Sequence, residues 1–200
     1  MTNQLIPKPP SIIPGFTIWL TGLSGAGKTT IALALEAELI ARHFPVERLD
    51  GDIVRESLTR DLGFSREDRD KNVERVGFVA RLLARNGVGV VAAFISPYRA
   101  AREKLRTEIN NFIEVYVEAP IETCIARDVK GLYAKALAGQ VSNFTGVDDP
   151  YEAPEIPDLV IRTDQLSVAD SVAYILDYLE SRQLIPATQT VSYAEKGQLQ

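Results

Sequence analysis

Gly22-Leu23-Ser24-Gly25-Ala26-Gly27-Lys28-Thr29 is the stretch that decides the fold. It fits the spacing G-x-x-x-x-G-K-[ST], in which a glycine-rich turn wraps phosphate groups. The residues before it, Phe16-Thr17-Ile18-Trp19-Leu20-Thr21, read as a buried strand. The residues after it, from Thr30 to Leu39, are rich in Ala, Leu and Glu and read as a helix. Strand, glycine loop and helix form the arrangement this chemistry requires. Glycines permit positive φ, and successive N–H groups at a helix start face an anion. Lys28 would reach the β and γ phosphates of a nucleoside triphosphate, and Thr29 would offer its hydroxyl to Mg²⁺.

The bulk properties narrow the partners. Two hundred residues, 46% hydrophobic and 24% charged, suit one soluble α/β domain. A net charge of −5 argues against nucleic acid, since a polyanion calls for a basic surface. Cys124 is the single cysteine, which excludes an intrachain disulfide and a multi-cysteine zinc site. His43 is the single histidine and falls at a helix end, so a general base would be a carboxylate. No apolar run approaches the ~18 residues of a membrane span. The start of the chain has four prolines before Gly15 and no signal-peptide core, and the expected location is cytoplasmic.

Along the chain the pattern predicts strands at 46–49, 88–95, 112–117 and 159–162. Helices are expected at 72–86, 98–109, 121–127 and 168–181. Alternation of strand and helix implies a parallel sheet covered on both faces. Residues 1–14 read as a flexible arm, 15–185 as one domain and 186–200 as a flexible tail. Residues 128–157 are rich in Gly, Lys, Asp and Pro, with weak helical periodicity at 132–137, and read as a lid.

Four clusters bear on the phosphoryl acceptor. Asp50-Gly51-Asp52, with Arg55 a turn later, reads equally as a proton acceptor or Mg²⁺ site and as a helix cap. Phe64, Arg69 and Asn72 suit a purine with a charged tail, or else a solvated helix start with a hydrophobic staple. Ile95 and Ser96 end an apolar strand where many P-loop ATPases carry Asp. Ser96 could contact substrate, be phosphorylated, or cap the next helix ahead of Pro97. Arg127, Lys130 and Leu132, followed by Phe144, place cations and an aromatic on the lid.

Taken together, GLSGAGKTT, LDGDIVR, LGFSREDRDKNVERVG, FISPYRAAR, RDVKGLYAKALAG and FTGVDDPYEAPEIPDLVI resemble the adenylyl-sulfate kinase (APS kinase) family, in order over residues 16–161. The resemblance implies a three-layer P-loop NTPase-type sheet with helices on both faces and a lid. It implies that ATP, with Mg²⁺, phosphorylates the 3′-hydroxyl of adenosine 5′-phosphosulfate (APS), giving PAPS and ADP. On that resemblance Gly22, Leu23, Ser24, Gly25, Ala26, Gly27, Lys28, Thr29 and Thr30 would hold the triphosphate, with Arg127 over the ATP adenine. Thr29 and Asp52 would serve the metal, and Asp52 would lie near the acceptor hydroxyl. Arg55, Arg69 and Asn72 would grip the phosphosulfate, and Phe64 and Phe144 would flank the adenine of APS. Ile95, Ser96, Lys130 and Leu132 would complete the acceptor site. Ser96, Asp52 and Lys28 would be the catalytic set, with Ser96 at the family's phosphoserine position. The resemblance also implies a homodimer and a stand-alone kinase without a sulfurylase domain. The alternatives are another small-metabolite or nucleotide kinase, a non-catalytic nucleotide-binding regulatory domain, and an NTPase switch, the last weakened by Ser96.

Overall fold

The computed structural model describes residues 14–187. The expected arm apart from Pro14, and all but the first two residues of the expected tail, therefore lie outside the described residues. Five strands form one parallel sheet: β1 Thr17–Thr21, β2 Val46–Asp50, β3 Gly89–Ala93, β4 Phe112–Glu118 and β5 Leu159–Arg162. Their spatial order is β2-β3-β1-β4-β5. The chain runs outward from β1 to β2, returns through β3, and continues on the other side of β1 to β4. That reversal opens a crevice at the carboxyl ends of the strands, where α/β proteins bind ligands.

Period-two alternation builds two separate cores. Ile18 and Leu20 of β1, Val91 of β3 and Val115 of β4 point to one face. There they meet Ile31, Leu35 and Leu39 of α1 (Lys28–Ala41) and Ile175 and Leu179 of α7 (Val168–Ser181). Trp19, Val90 and Ala92 point to the other face. They pack against Val73, Val76 and Ala80 of α3 (Arg66–Ala84) and Leu105 of α4 (Arg99–Glu108). Both faces are covered, which is why the strands read as continuous apolar runs.

One helix starts earlier than the sequence expectation. α3 begins at Arg66 rather than Asn72, because Ser65 caps it and accepts from Asp68 N. The charged stretch is thus a first turn with Glu67 and Asp68 at the positive end of the helix. A short helix, α2 (Gly51–Glu56), follows β2, as the cap reading of Asp50-Gly51-Asp52 allows. The lid does contain a helix, α6 (Leu132–Leu137), after α5 (Ile121–Arg127). Asp128 nucleates it: its carboxylate accepts from Tyr133 N and Ala134 N, both at 3.0 Å.

Gly77 lets α3 and α4 approach. A Cβ there would sit 2.1 Å from Leu105 Cδ2. Ala in a helix interior normally gains about 1 kcal/mol over Gly. Here the clash, in a contact where Leu105 is 2% exposed, reverses the sign. Gly77→Ala is expected to lower stability by about 1–3 kcal/mol in urea denaturation. Leu105→Ala, destabilising by itself, should cost less in the Gly77→Ala background than in wild type.

Candidate active site

One cavity of about 830 Å³ opens at the crevice and joins two lobes. The first is formed by the loop between β1 and α1. Gly22 turns the chain at φ 146°, and a Cβ there would lie 2.2 Å from Val117 O, so no larger residue fits. Lys28 folds over the loop and donates from Nζ to Gly22 O at 2.9 Å and Leu23 O at 2.7 Å. Its ammonium has left bulk water, and burial pulls its pKa from 10.5 down to about 8. Lys130 lowers it further, while Cys124, Asp50 and Asp52 oppose the shift. A desolvated ammonium on a glycine loop suits the negative charge of a phosphate chain.

Ser24, Gly25, Gly27, Lys28, Thr29 and Thr30 line this lobe as the sequence led us to expect. Gly22, Leu23 and Ala26 do not line it. Their carbonyls instead secure its frame: Gly22 and Leu23 hold Lys28, and Ala26 O accepts from Thr163 Oγ1 at 2.7 Å. Arg127 lies at the mouth and donates to Thr163 Oγ1 at 3.0 Å and Thr163 O at 2.8 Å. Thr163 follows β5 directly, and an isolated threonine gave no sequence signal for this tie.

Asp50 is the second residue that sequence reasoning passed over. The family resemblance assigns the metal to Thr29 and Asp52 and gives Asp50 no separate role. Asp50 does two jobs at once: Oδ1 accepts from Asp52 N at 3.0 Å, capping α2, and Oδ2 accepts from Thr29 Oγ1 at 3.0 Å. The cap and the site readings of this cluster are both true, of the same side chain. A threonine hydroxyl beside a carboxylate is a hard-oxygen pair, and it fits Mg²⁺, which takes few protein ligands and keeps water and phosphate oxygens. Asp52 points toward the lid, where Lys130 pairs with it.

The second lobe lies between α2, α3 and the lid. Arg55 stacks over Phe64 at 4.4 Å, and Arg69 reaches the same ring at 5.8 Å. Phe64 is therefore not an apolar staple; it stays 57% exposed, with one guanidinium packed against it. Burial, and then the Arg69 charge, lower the pKa of Arg55 from its ordinary value. Asn72 is buried, with Oδ1 lacking any partner, and it lines the cavity. The arginines and this amide form a pocket suited to an anion attached to a flat ring.

Phe144 and Leu132 line the same lobe from the lid. Phe144 meets Tyr133 edge-on at 5.0 Å, and Tyr133 Oη donates to Ser24 O at 3.1 Å. The lid is thus seated on the phosphate loop. Ile95 and Ser96 form the floor between the lobes. Ser96 does not cap α4, whose N-terminal boundary residue is Tyr98, without a side-chain cap. Its hydroxyl accepts from Trp19 Nε1 at 3.0 Å and donates to Thr21 Oγ1 at 3.1 Å.

This sheet order, with a phosphate loop after the central strand and a second anion lobe under a lid, defines a phosphotransferase of the P-loop kinase class. The chain belongs to the adenylylsulphate kinase family, whose model matches residues 14–162. A probable adenylyl-sulfate kinase of Pseudomonas aeruginosa is 63% identical over 163 residues, covering 82% of this chain and 76% of that protein. The adenylyl-sulfate kinase of Halothermothrix orenii is 55% identical over 177 residues, covering 88% and 96%. Among solved structures, the APS kinase of Mycobacterium tuberculosis in complex with AMPPNP and APS superposes with a TM-score of 0.81 at 41% identity. That match covers 84% of this chain and 98% of the other.

The depressed Lys28 gives a pH signature. Because the folded protein gives up this proton before the unfolded chain does, the group's contribution to stability rises with pH between about 8 and 10.5. Triphosphate binding favours the charged form, so binding of an ATP analogue at pH 8 should be accompanied by proton uptake at Lys28. Calorimetric titration in two buffers of different ionisation enthalpy checks this. A binding heat independent of buffer at pH 8 would contradict it.

Proposed function

We propose that this enzyme transfers the γ-phosphoryl group of ATP to the 3′-hydroxyl of APS, forming PAPS and ADP. The observation that carries the reading is the single cavity in which the phosphate loop faces a lobe built from Phe64, Arg55, Arg69 and Asn72. An adenine would stack on Phe64, a contact worth ~1–3 kcal/mol elsewhere. The arginines, with the Asn72 side-chain N–H donors beside them, would meet the phosphosulfate end. The M. tuberculosis relative, solved with AMPPNP and APS together, supports the same pair of ligands.

The geometry supports the following assignment of roles. Lys28 holds the β and γ phosphates and stabilises the charge that spreads over the transferred group. Thr29 and Asp50, with Asp52 behind them, would hold Mg²⁺, which neutralises phosphate charge when bound. The acceptor 3′-oxygen forms its bond to γ-phosphorus as the bond to the β–γ bridging oxygen breaks. Its proton passes to Asp52, the exposed carboxylate facing the lid. Lys130 exchanges Asp52 for phosphate oxygens as the acceptor enters.

We read the transfer as direct. The Ser96 hydroxyl is buried, its proton points to Thr21, and its neighbours Trp19, Thr21 and the Phe94 carbonyl supply no base. An alcohol in that setting is a poor nucleophile. No helix among the described residues is long and apolar enough to cross a membrane, and dependence on ATP favours a cytoplasmic enzyme. We further propose that the chain self-assembles as a dimer. An APS kinase from Thiobacillus denitrificans, 37% identical, is hexameric, and this chain covers 31% of it.

The deciding experiment is turnover of APS, AMP, gluconate and shikimate by the purified protein with ATP and Mg²⁺. PAPS formation from APS alone is expected, and turnover only with another acceptor would overturn the reading. Asp52→Asn is expected to lower kcat by roughly 10²–10⁴-fold. Ser96→Ala should retain a kcat within about tenfold of wild type, whereas a loss near 10⁴-fold would favour a phosphoserine route.

A further inference from the structure

Thr21 is the last residue of β1, fully buried, and it stands immediately before the phosphate loop. Its hydroxyl has three neighbours from distant parts of the chain: Ile95 O at 2.7 Å, Ser96 Oγ at 3.1 Å and Tyr151 Oη at 3.0 Å. The proton directions follow from elementary chemistry. A carbonyl only accepts, so the Thr21 proton goes to Ile95 O. The Ser96 and Tyr151 hydroxyls then both donate to Thr21 Oγ1, and Trp19 Nε1 donates to Ser96 Oγ. Every member of this buried chain is satisfied, and one threonine oxygen closes it.

A second grip acts on the same segments. Arg102 is 1% exposed and donates from Nη1 to Ser96 O and from Nη2 to Glu152 O, both at 2.6 Å. Ser96 itself has φ 39°, a left-handed backbone that costs a serine on the order of 1–3 kcal/mol. It persists because Thr21, Trp19 and Arg102 hold it from separate directions. Thr21, Trp19 and Tyr151 do not line the cavity, while Ile95 and Ser96 do.

We propose that Thr21 is a positioning residue that fixes the acceptor floor at Ile95–Ser96 against the phosphate loop, and that Tyr151 ties the far end of the lid to the same oxygen. The hydroxyl sets how far the phosphoryl donor stands from the acceptor without touching either. The inference rests on the phosphoryl-transfer reading above, which supplies the two substrates to be aligned.

The test uses Thr21→Val, which keeps the shape and removes the hydroxyl, beside Thr21→Ser and Tyr151→Phe. A misalignment of about 1 Å at a transfer site costs up to about 100-fold in rate. Thr21→Val is therefore expected to lower kcat on the order of 10- to 100-fold, with KM for ATP changed less than about threefold. Thr21→Ser should recover most of that loss, and Tyr151→Phe should show a smaller drop of the same kind. Trp19 is the only tryptophan, and its indole N–H ends in this network, so its emission should shift in Thr21→Val before any substrate is added. Equal losses in Thr21→Val and Thr21→Ser, or an unchanged kcat in Thr21→Val, would overturn the proposal. If Thr21→Val does not fold, Tyr151→Phe carries the test, since it leaves β1 intact: a lower kcat at constant ATP KM supports the role and an unchanged kcat overturns it. If the wild type fails to use APS, the proposed function falls. The positioning role is then read from Trp19 emission in the same variants, where a shift supports it and no shift refutes it.

Discussion

The buried charge of Lys28 is the constraint around which the site is arranged. Two carbonyls of its own loop are the direct partners of its ammonium, and dipoles offset only part of the desolvation of a cation. The loop shape follows: Gly22 must turn under β4, and the carbonyls of Gly22 and Leu23 must face inward. The sheet order follows as well, because β1 has to sit centrally for the loop to open into the crevice between its neighbours. Nearby carboxylates from β2 and α2 temper the charge without removing it. The loop thus holds a desolvated cation, which is where electrostatic stabilisation of phosphate charge is strongest.

Strand tips do double duty throughout. Asp50 caps α2 with one oxygen and engages Thr29 with the other. Ser96 presents its backbone to the cavity and its hydroxyl to the interior. Thr163 ends β5 and ties both Ala26 and Arg127 to it. In each case a group needed to terminate regular structure also fixes a site residue. Side chains at the site are therefore held by elements of the core, which is how sub-ångström placement is kept in a molecule of marginal stability.

This double use also explains what the sequence revealed and what it hid. Periodicity and the glycine pattern gave the parallel sheet, its covered faces and the phosphate loop, because those depend on local spacing. The clusters of charged and aromatic residues marked Arg55, Phe64, Arg69, Asn72, Lys130 and Phe144 as candidates, the family resemblance attached roles to them, and the fold brings all of them to one cavity. The start of α3 was hidden because Ser65-Arg66-Glu67-Asp68 is a cap whose polar residues resemble a loop. Asp50 was passed over for Asp52 because nothing local distinguishes two aspartates separated by one glycine. Only their contacts do: one meets Thr29 and the other meets Lys130. Thr21 carried no signal at all, since its partners lie 74, 75 and 130 residues away.

The lid shows how the two lobes are joined energetically. Its inner side is not a free flap: Tyr133 and Phe144 are buried together, an edge-to-face pair worth ~0.5–1.5 kcal/mol beyond their area. Tyr133 donates to the phosphate loop, and Arg69 from the acceptor lobe donates to Asn143 O. The lid therefore contacts both binding lobes through fixed groups. Its contact with α2 is the exposed ion pair Lys130–Asp52. An exposed pair is worth little, at most about 1 kcal/mol. Opening that contact for an incoming anion costs far less than unseating Tyr133 and Phe144. The Lys130–Asp52 pair is accordingly the contact that changes partners at least cost, while Tyr133 and Phe144 keep this segment seated on the phosphate loop.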